Sequence, residues 1–227
     1  MSAPLVSVVT PTFARSAFLP YLRRFFEWQT YPNKELVVLD DSPQSNAGIF
    51  AGNDRIRYFH STSRIDIGVK RNELNKLAKG DVIVCFDDDD YYAPSRLAVA
   101  AKALAAGVAA FGGTCDVTFY FPALDRFVRF NNKIVGRVMF YTAEYGRRHK
   151  FWEGRGRGEE PPFRQAAKHI AVLANDLSAI AIAHGANTTS LRLVAKLPAV
   201  ALDAKTVFPA DYLEFLKQNS RPPPGLG

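Results

Sequence analysis

The chain has 227 residues, 48% of them hydrophobic and 22% charged, with a formal net charge of +7. Such a composition is ordinary for a globular protein with a full core and unlike that of a disordered or fibrous chain. The positive balance suits anionic ligands, namely phosphates or acidic lipid head groups; nucleic acid is not expected, because no zinc-ligand spacing, basic zipper or ribonucleoprotein-type aromatic motif is visible.

Taken in chain order, Leu5–Thr10 reads as a strand. From Ser16 to Gln29 the apolar residues Phe18, Leu22, Phe25 and Phe26 fall at helical spacing, with Ser16 as the expected cap. Glu35–Asp40 and Ile56–His60 are further strands, Gly68–Ala78 a helix, Val82–Phe86 a fourth strand and Pro94–Leu104 a helix opened by proline. This alternation predicts an α/β fold with a mostly parallel sheet flanked by helices. Ligands bind such sheets beyond the carboxyl ends of the strands. Three of those ends carry polar clusters, "TPTFAR", "DDS" and "DDDD", which are expected to share one crevice.

The second half has a different texture. Phe111–Tyr120, Phe127–Phe130 and Arg137–Phe140 read as mixed or antiparallel strands. "GRRHKFWEGRGRGEEPP" then reads as a loop, either solvated or closing over ligand with Phe151, Trp152 and its arginines. A helix from Glu160 or Phe163 to Leu173, a strand over Leu177–His184 and a disordered tail "SRPPPGLG" complete the chain. Cys85 and Cys115 lie in strand-like runs, which suits buried thiols in a reducing compartment. The start "MSAPLVSVVTPTF" lacks the pattern of a signal peptide, and no stretch reaches the ~18 apolar residues of a membrane span. A cytoplasmic location is expected, with peripheral membrane contact left open.

"GDVIVCFDDDDYYAP" (Gly80–Pro94) carries the sharpest chemical signal. Four consecutive carboxylates, Asp87 to Asp90, repel one another unless something positive sits among them. Hard oxygens at the end of a parallel strand select Mg²⁺ or Mn²⁺, usually shared with substrate phosphates. The plainer alternative is an acidic turn interacting with the dipole of the helix after Pro94.

"VSVVTPTFAR", "ELVVLDDS", "GVKRN" and "GDVIVCFDDDDYYAP", in that order and spacing, resemble the family 2 inverting glycosyltransferases of the GT-A fold. The resemblance covers about Leu5 to Arg164 and extends more weakly to Ser190. It implies a single GT-A-type domain over residues 1–219, with 1–105 a nucleotide-binding half, 106–219 an acceptor half and 220–227 a tail. By position, Pro11, Thr12 and Arg15 would border the nucleotide, Asp41 would accept from the base, Arg71 would lie near the nucleotide and Asp88 at the ribose. Asp89 would hold the metal, assisted by Asp87, and His184 in "AHGANTTS" would complete the metal or diphosphate site. The family's acidic pair after glycine appears here as "RGEEPPF", so Glu160 takes the place of the general base, with Glu159 as its substitute.

The resemblance thus implies metal-dependent transfer, with inversion, of a sugar from a nucleotide diphosphate sugar, with a UDP-sugar expected, to a saccharide, lipid-linked or protein acceptor. Two rivals are a nucleotidyltransferase on a similar sheet and a non-catalytic sugar-nucleotide-binding protein. The first would want a glycine-rich loop after the first strand, which "TPTFAR" does not supply.

Overall fold

The computed structural model describes residues 3–131, 136–155, 158–174, 177–185, 187 and 191–222. In chain order its first elements are β1 (Val6–Thr12), α1 (Leu19–Glu27), β2 (Lys34–Asp40), α2 (Ala47–Phe50), β3 (Ile56–His60), α3 (Ile67–Leu77), β4 (Val82–Cys85), β5 (Tyr91–Tyr92) and α4 (Arg96–Ala105). There follow β6 (Phe111–Gly113), β7 (Asp116–Phe121), β8 (Arg126–Asn131), β9 (Phe140–Thr142), α5 (Ala143–Arg148), α6 (Glu160–Gln165), β10 (Ile170–Val172) and β11 (Ala179–Ile182). The last are β12 (Ala199–Val200), α7 (Ala204–Val207) and α8 (Ala210–Gln218).

A seven-stranded sheet runs β10-β6-β9-β4-β1-β2-β3. Its β3-β2-β1-β4 part is wholly parallel, as the apolar runs of the first half require. Val6, Val8, Leu36, Val38, Ile83 and Val84 are completely buried in it. The chain steps outward from β1 to β2 on one side and to β4 on the other, so a crevice opens beyond the carboxyl ends of β1 and β4. A second, five-stranded sheet, β12-β8-β7-β11-β5, walls that crevice with strands drawn mostly from the second half.

Four local expectations are corrected. The first helix begins at Leu19 rather than at Ser16, with no side-chain cap. Pro20 has no N–H to give and fits only the opening turn. Phe111–Tyr120 is not one strand: β6 lies in the first sheet and β7 in the second. At Gly112 a Cβ would fall 2.4 Å from the Phe140 ring and 2.6 Å from the Ala171 carbonyl, so only glycine lets the chain pass there. Arg137 belongs to a 3₁₀ turn, Gly136–Val138, and the strand starts at Phe140. Finally, α6 stops at Gln165 and Ile170–Val172 pairs in parallel with β6, because that edge offers ladder partners a longer helix would leave unused. Of the expected tail, Ser220–Pro222 are described, and Arg221 N–H donates to the His184 carbonyl at 3.2 Å; the remainder lies outside the described residues. No helix among the described residues is long and apolar enough to cross a membrane.

Candidate active site

The crevice is a cavity of about 580 Å³ whose walls include Pro11, Thr12, Arg15, Arg71, Asp87, Asp88, Asp89, Glu159 and Glu160. Sequence-distant clusters therefore meet in one place. At the end of β1 the chain turns through Ala14, whose φ of 52° is held by a hydrogen bond from its N–H to Ser42 Oγ at 2.8 Å. This turn carries Phe13 and Arg15 into the cavity wall.

Asp40 and Asp41 end β2 and do different work. Asp40 is buried among Ser42, Asn46 and Tyr58, which all donate to it. Asp41, with a completely buried carboxylate, accepts from Lys70 Nζ at 2.7 Å, the Ile65 N–H at 2.7 Å and Arg64. Burial pushes the Asp41 carboxyl up, but the Ile65 and Lys70 hydrogen bonds outweigh it and hold the group below the usual carboxylate range. Lys70 is lowered by the same burial, against the pull of Asp41. The Arg64 guanidinium lies 3.5 Å over the Phe13 ring, and both line the cavity, whereas the buried Asp41 is not among its lining residues.

Each aspartate of the run has its own partner. Asp87 meets Arg71 at 3.2 Å and Arg137 at 3.8 Å. Asp88 is half-buried and touches Thr12; desolvation, and then the charge of Asp89, push its carboxyl well above the usual range. Asp89 lies 2.9 Å from His184 Nε2 and 3.5 Å from Arg15. Burial opposes its charge, yet His184, Arg15 and Arg137 together keep it below the ordinary value. Asp90 accepts from the Ile182 N–H at 2.9 Å and lies 2.8 Å from Arg137; burial pushes it up to about 8 despite that arginine. The fourth acid is thus a strut from the run to β11. Much of the positive partner that the aspartates demand is protein: Arg71, Arg137 and Arg15.

Arg71, on α3, is buried between two acids. Its Nε donates to Glu159 at 2.7 Å while a terminal nitrogen reaches Asp87. Glu159 is consequently buried and occupied, whereas Glu160, first residue of α6, stays partly exposed and accepts from the Gly136 N–H at 3.3 Å. Among its described residues, the loop before them is pinned at Phe151–Glu153. Asn72 bonds Phe151 N–H and carbonyl and the Glu153 carboxylate, and the Trp152 N–H donates to the Glu159 carbonyl. Gly156 and Arg157 of that loop lie outside the described residues.

The expected metal trio is not brought together. Among the described residues, no three His, Cys, Asp or Glu side chains are arranged to hold a metal ion. Asp87 faces two arginines, Arg71 at 3.2 Å and Arg137 at 3.8 Å. Asp89 and His184 do fit a hard or borderline divalent ion: an anionic oxygen and a ring nitrogen stand 2.9 Å apart, and Mg²⁺ or Mn²⁺ normally takes only one or two protein ligands beside substrate phosphates.

A glycosyl transferase family 2 model matches residues 7–165. The chain belongs to glycosyl transferase family 2. Relatives of this family 2 chain include the putative colanic acid biosynthesis glycosyl transferase WcaA of Escherichia coli K12, 34% identical over 101 residues, covering 42% of this chain and 36% of that one. Another is the GalNAc(5)-diNAcBac-PP-undecaprenol beta-1,3-glucosyltransferase of Campylobacter jejuni, 29% identical over 119 residues, covering 49% and 38%. The chain therefore spans little more than a third of these curated relatives. Its backbone is similar to that of residues 1–349 of S. aureus TarS in complex with UDP-GlcNAc, with a TM-score of 0.64 and 18% identity, covering 78% of this chain and 58% of that fragment. It is also similar to the mannosyltransferase PcManGT of Pyrobaculum calidifontis in complex with GDP-Man and Mn²⁺, with a TM-score of 0.53 and 18% identity over 67% and 48%. The architecture is the GT-A fold, as the family 2 resemblance implied.

Phe13, Arg64, Lys70 and Arg137 escaped sequence reasoning. Phe13 and Lys70 stand inside quoted motifs, and the position of Lys70 one residue before Arg71 could have suggested a charge aimed back at β2. Nothing in the local sequence singles out Arg64 or Arg137.

Proposed function

We propose that this chain transfers a sugar, with inversion, from a nucleoside diphosphate sugar to an acceptor hydroxyl, using Glu160 as general base and Mg²⁺ or Mn²⁺ at Asp89 and His184. The observation that carries this reading is the division of labour between adjacent glutamates. Arg71 engages Glu159, while Glu160 lines the same cavity as Asp88 and Asp89 and remains partly exposed. Inversion asks for one such carboxylate: it takes the proton as the acceptor oxygen attacks the anomeric carbon from the face opposite the diphosphate. A bound divalent ion would supply charge stabilisation to the departing diphosphate. Thr12 and Asp88 are assigned to the ribose side, Arg15 to the diphosphate and Asp41, with Pro11 alongside, to the base, with Arg71 holding the acids in register.

A UDP-sugar is the proposed donor, in keeping with the UDP-GlcNAc held by the similar TarS fold. The relative named for an undecaprenol-linked substrate favours a lipid-linked saccharide as acceptor. Residues 1–105 would hold most of the donor and 106–219 the acceptor, with His184 reaching across to the diphosphate side, within one cytoplasmic unit. A screen of nucleotide sugars with Mn²⁺ for nucleoside diphosphate release tests the reading. Release from one donor, lost in Glu160→Gln, supports it; no release from any donor with any acceptor class counts against it.

A further inference from the structure

We propose that Arg137 is an oxyanion-binding fork for the distal phosphate of the donor, so that a nucleoside diphosphate binds here without metal. This rests on the donor reading above and adds a residue outside every motif that led to it. Arg137 sits in the turn Gly136–Val138, which is fixed from three sides. Buried Arg96 donates to the Val138 carbonyl at 2.7 Å, the Cys85 N–H donates to the neighbouring Met139 carbonyl at 3.0 Å, and the Gly136 N–H reaches Glu160. At Gly136 a Cβ would lie 2.4 Å from the Arg71 guanidinium, so the turn is also packed against the acid-binding arginine.

The guanidinium is anchored by its inner edge. Nε faces Asp90 at 2.8 Å and Asp87 at 3.8 Å, and the plane rests 5.5 Å from the Phe119 ring centroid. Among the described residues its two terminal nitrogens donate to no protein acceptor, and Arg137 lines the cavity between the aspartates and Glu160. A fixed cation with a free pair of coplanar donors matches an oxyanion bidentately. Its ion pairs with Asp87 and Asp90 place it next to Asp89, on the side of the cavity assigned to the departing diphosphate. Arg71 and Arg15 are differently committed, Arg71 to Asp87 and Glu159 and Arg15 to Asp89.

The test is calorimetric titration of the full chain in EDTA with UDP against UMP, and GDP against GMP. Removing Arg137 alone would strand buried Asp90, so Arg137→Met is made in an Asp90→Asn background, which keeps the oxygen that accepts from Ile182. The background variant is expected to bind the preferred diphosphate at least tenfold more tightly than its monophosphate without metal. Adding Arg137→Met should erase that gap while leaving monophosphate affinity within about threefold, and Arg137→Lys should restore part of it. A gap that survives Arg137→Met overturns the proposal. So does a loss seen with UDP-glucuronate but not with UDP, which would assign the fork to a sugar carboxylate. Failure of the wild-type chain to bind any nucleoside diphosphate, with or without Mn²⁺, would instead overturn the donor reading itself.

Discussion

The Arg71 guanidinium holds the Glu159 carboxylate at 2.7 Å, whereas its neighbour Glu160, the proposed base, lines the cavity partly exposed. Glu160→Gln keeps the shape and the Gly136 hydrogen bond but removes basicity. Transfer is expected to fall by ~10²–10⁴ with donor affinity retained. Glu159→Gln should act differently, lowering stability by about 2 kcal/mol through the weakened charged hydrogen bond to Arg71. Steady-state rates and urea midpoints on both variants check the split. A dead but stable Glu159→Gln would exchange the two roles.

For the divalent ion, Asp89→Asn and His184→Ala are expected to abolish Mn²⁺ binding in the presence of UDP, read by calorimetry. Asp87→Asn should leave it within a few-fold, because Asp87 is already committed to Arg71 and Arg137. Equal loss in all three variants would restore Asp87 as a ligand.

Asp40 and Asp41 set an acid limit to stability. Burial pushes both carboxyls up, yet hydrogen bonds from Asn46, Ser42 and Tyr58 to Asp40, and from Ile65 and Lys70 to Asp41, hold both below the ordinary range. The unfolded chain therefore takes up these protons first as pH falls. Their contribution is present above the unfolded value of ~3.9 and is lost as pH drops below it. Urea midpoints should decline across that window in the wild type. The decline should be shallower in Asp40→Asn, and an unchanged slope would contradict the assignment.

Gly68 opens α3 beneath the loop that precedes the acidic pair. A Cβ there would fall 1.7 Å from the Trp152 carbonyl oxygen, which is backbone and cannot swing aside. Gly68→Ala is expected to lift the loop from α3 and speed protease cleavage within residues 150–155, while Gly48→Ala, which meets nothing within 4 Å, should not. Equal cleavage rates for the two would show that the loop is not seated on α3.

The parallel half of the fold was legible because β1, β2 and β4 carry continuous apolar runs and helical stretches alternate with its strands. Strand limits for Ile56–His60 agree residue for residue, and those of Val82–Cys85 differ by one. The second half was not. Strands such as β6, β9 and β12 have two or three residues, too few to show alternation, and β6 and β7 part company at a glycine whose need is set by Phe140 across the sheet. The site divides the same way. Asp87 to Asp90 and Glu159–Glu160 stand out because like charges are adjacent in sequence. Arg137 and Arg64 do not, since each earns its place only from partners dozens of residues away. The Asp90 strut to Ile182 likewise depends on β11, ninety-two positions on.

The most direct measurement is the anomeric configuration of the product, read by NMR on material made with the donor the nucleotide-sugar screen selects. One free glutamate placed for proton abstraction predicts a product whose anomeric configuration is opposite to that of the donor, formed by the wild type and lost in Glu160→Gln. A product with the donor's configuration retained would contradict the single-displacement assignment of Glu160.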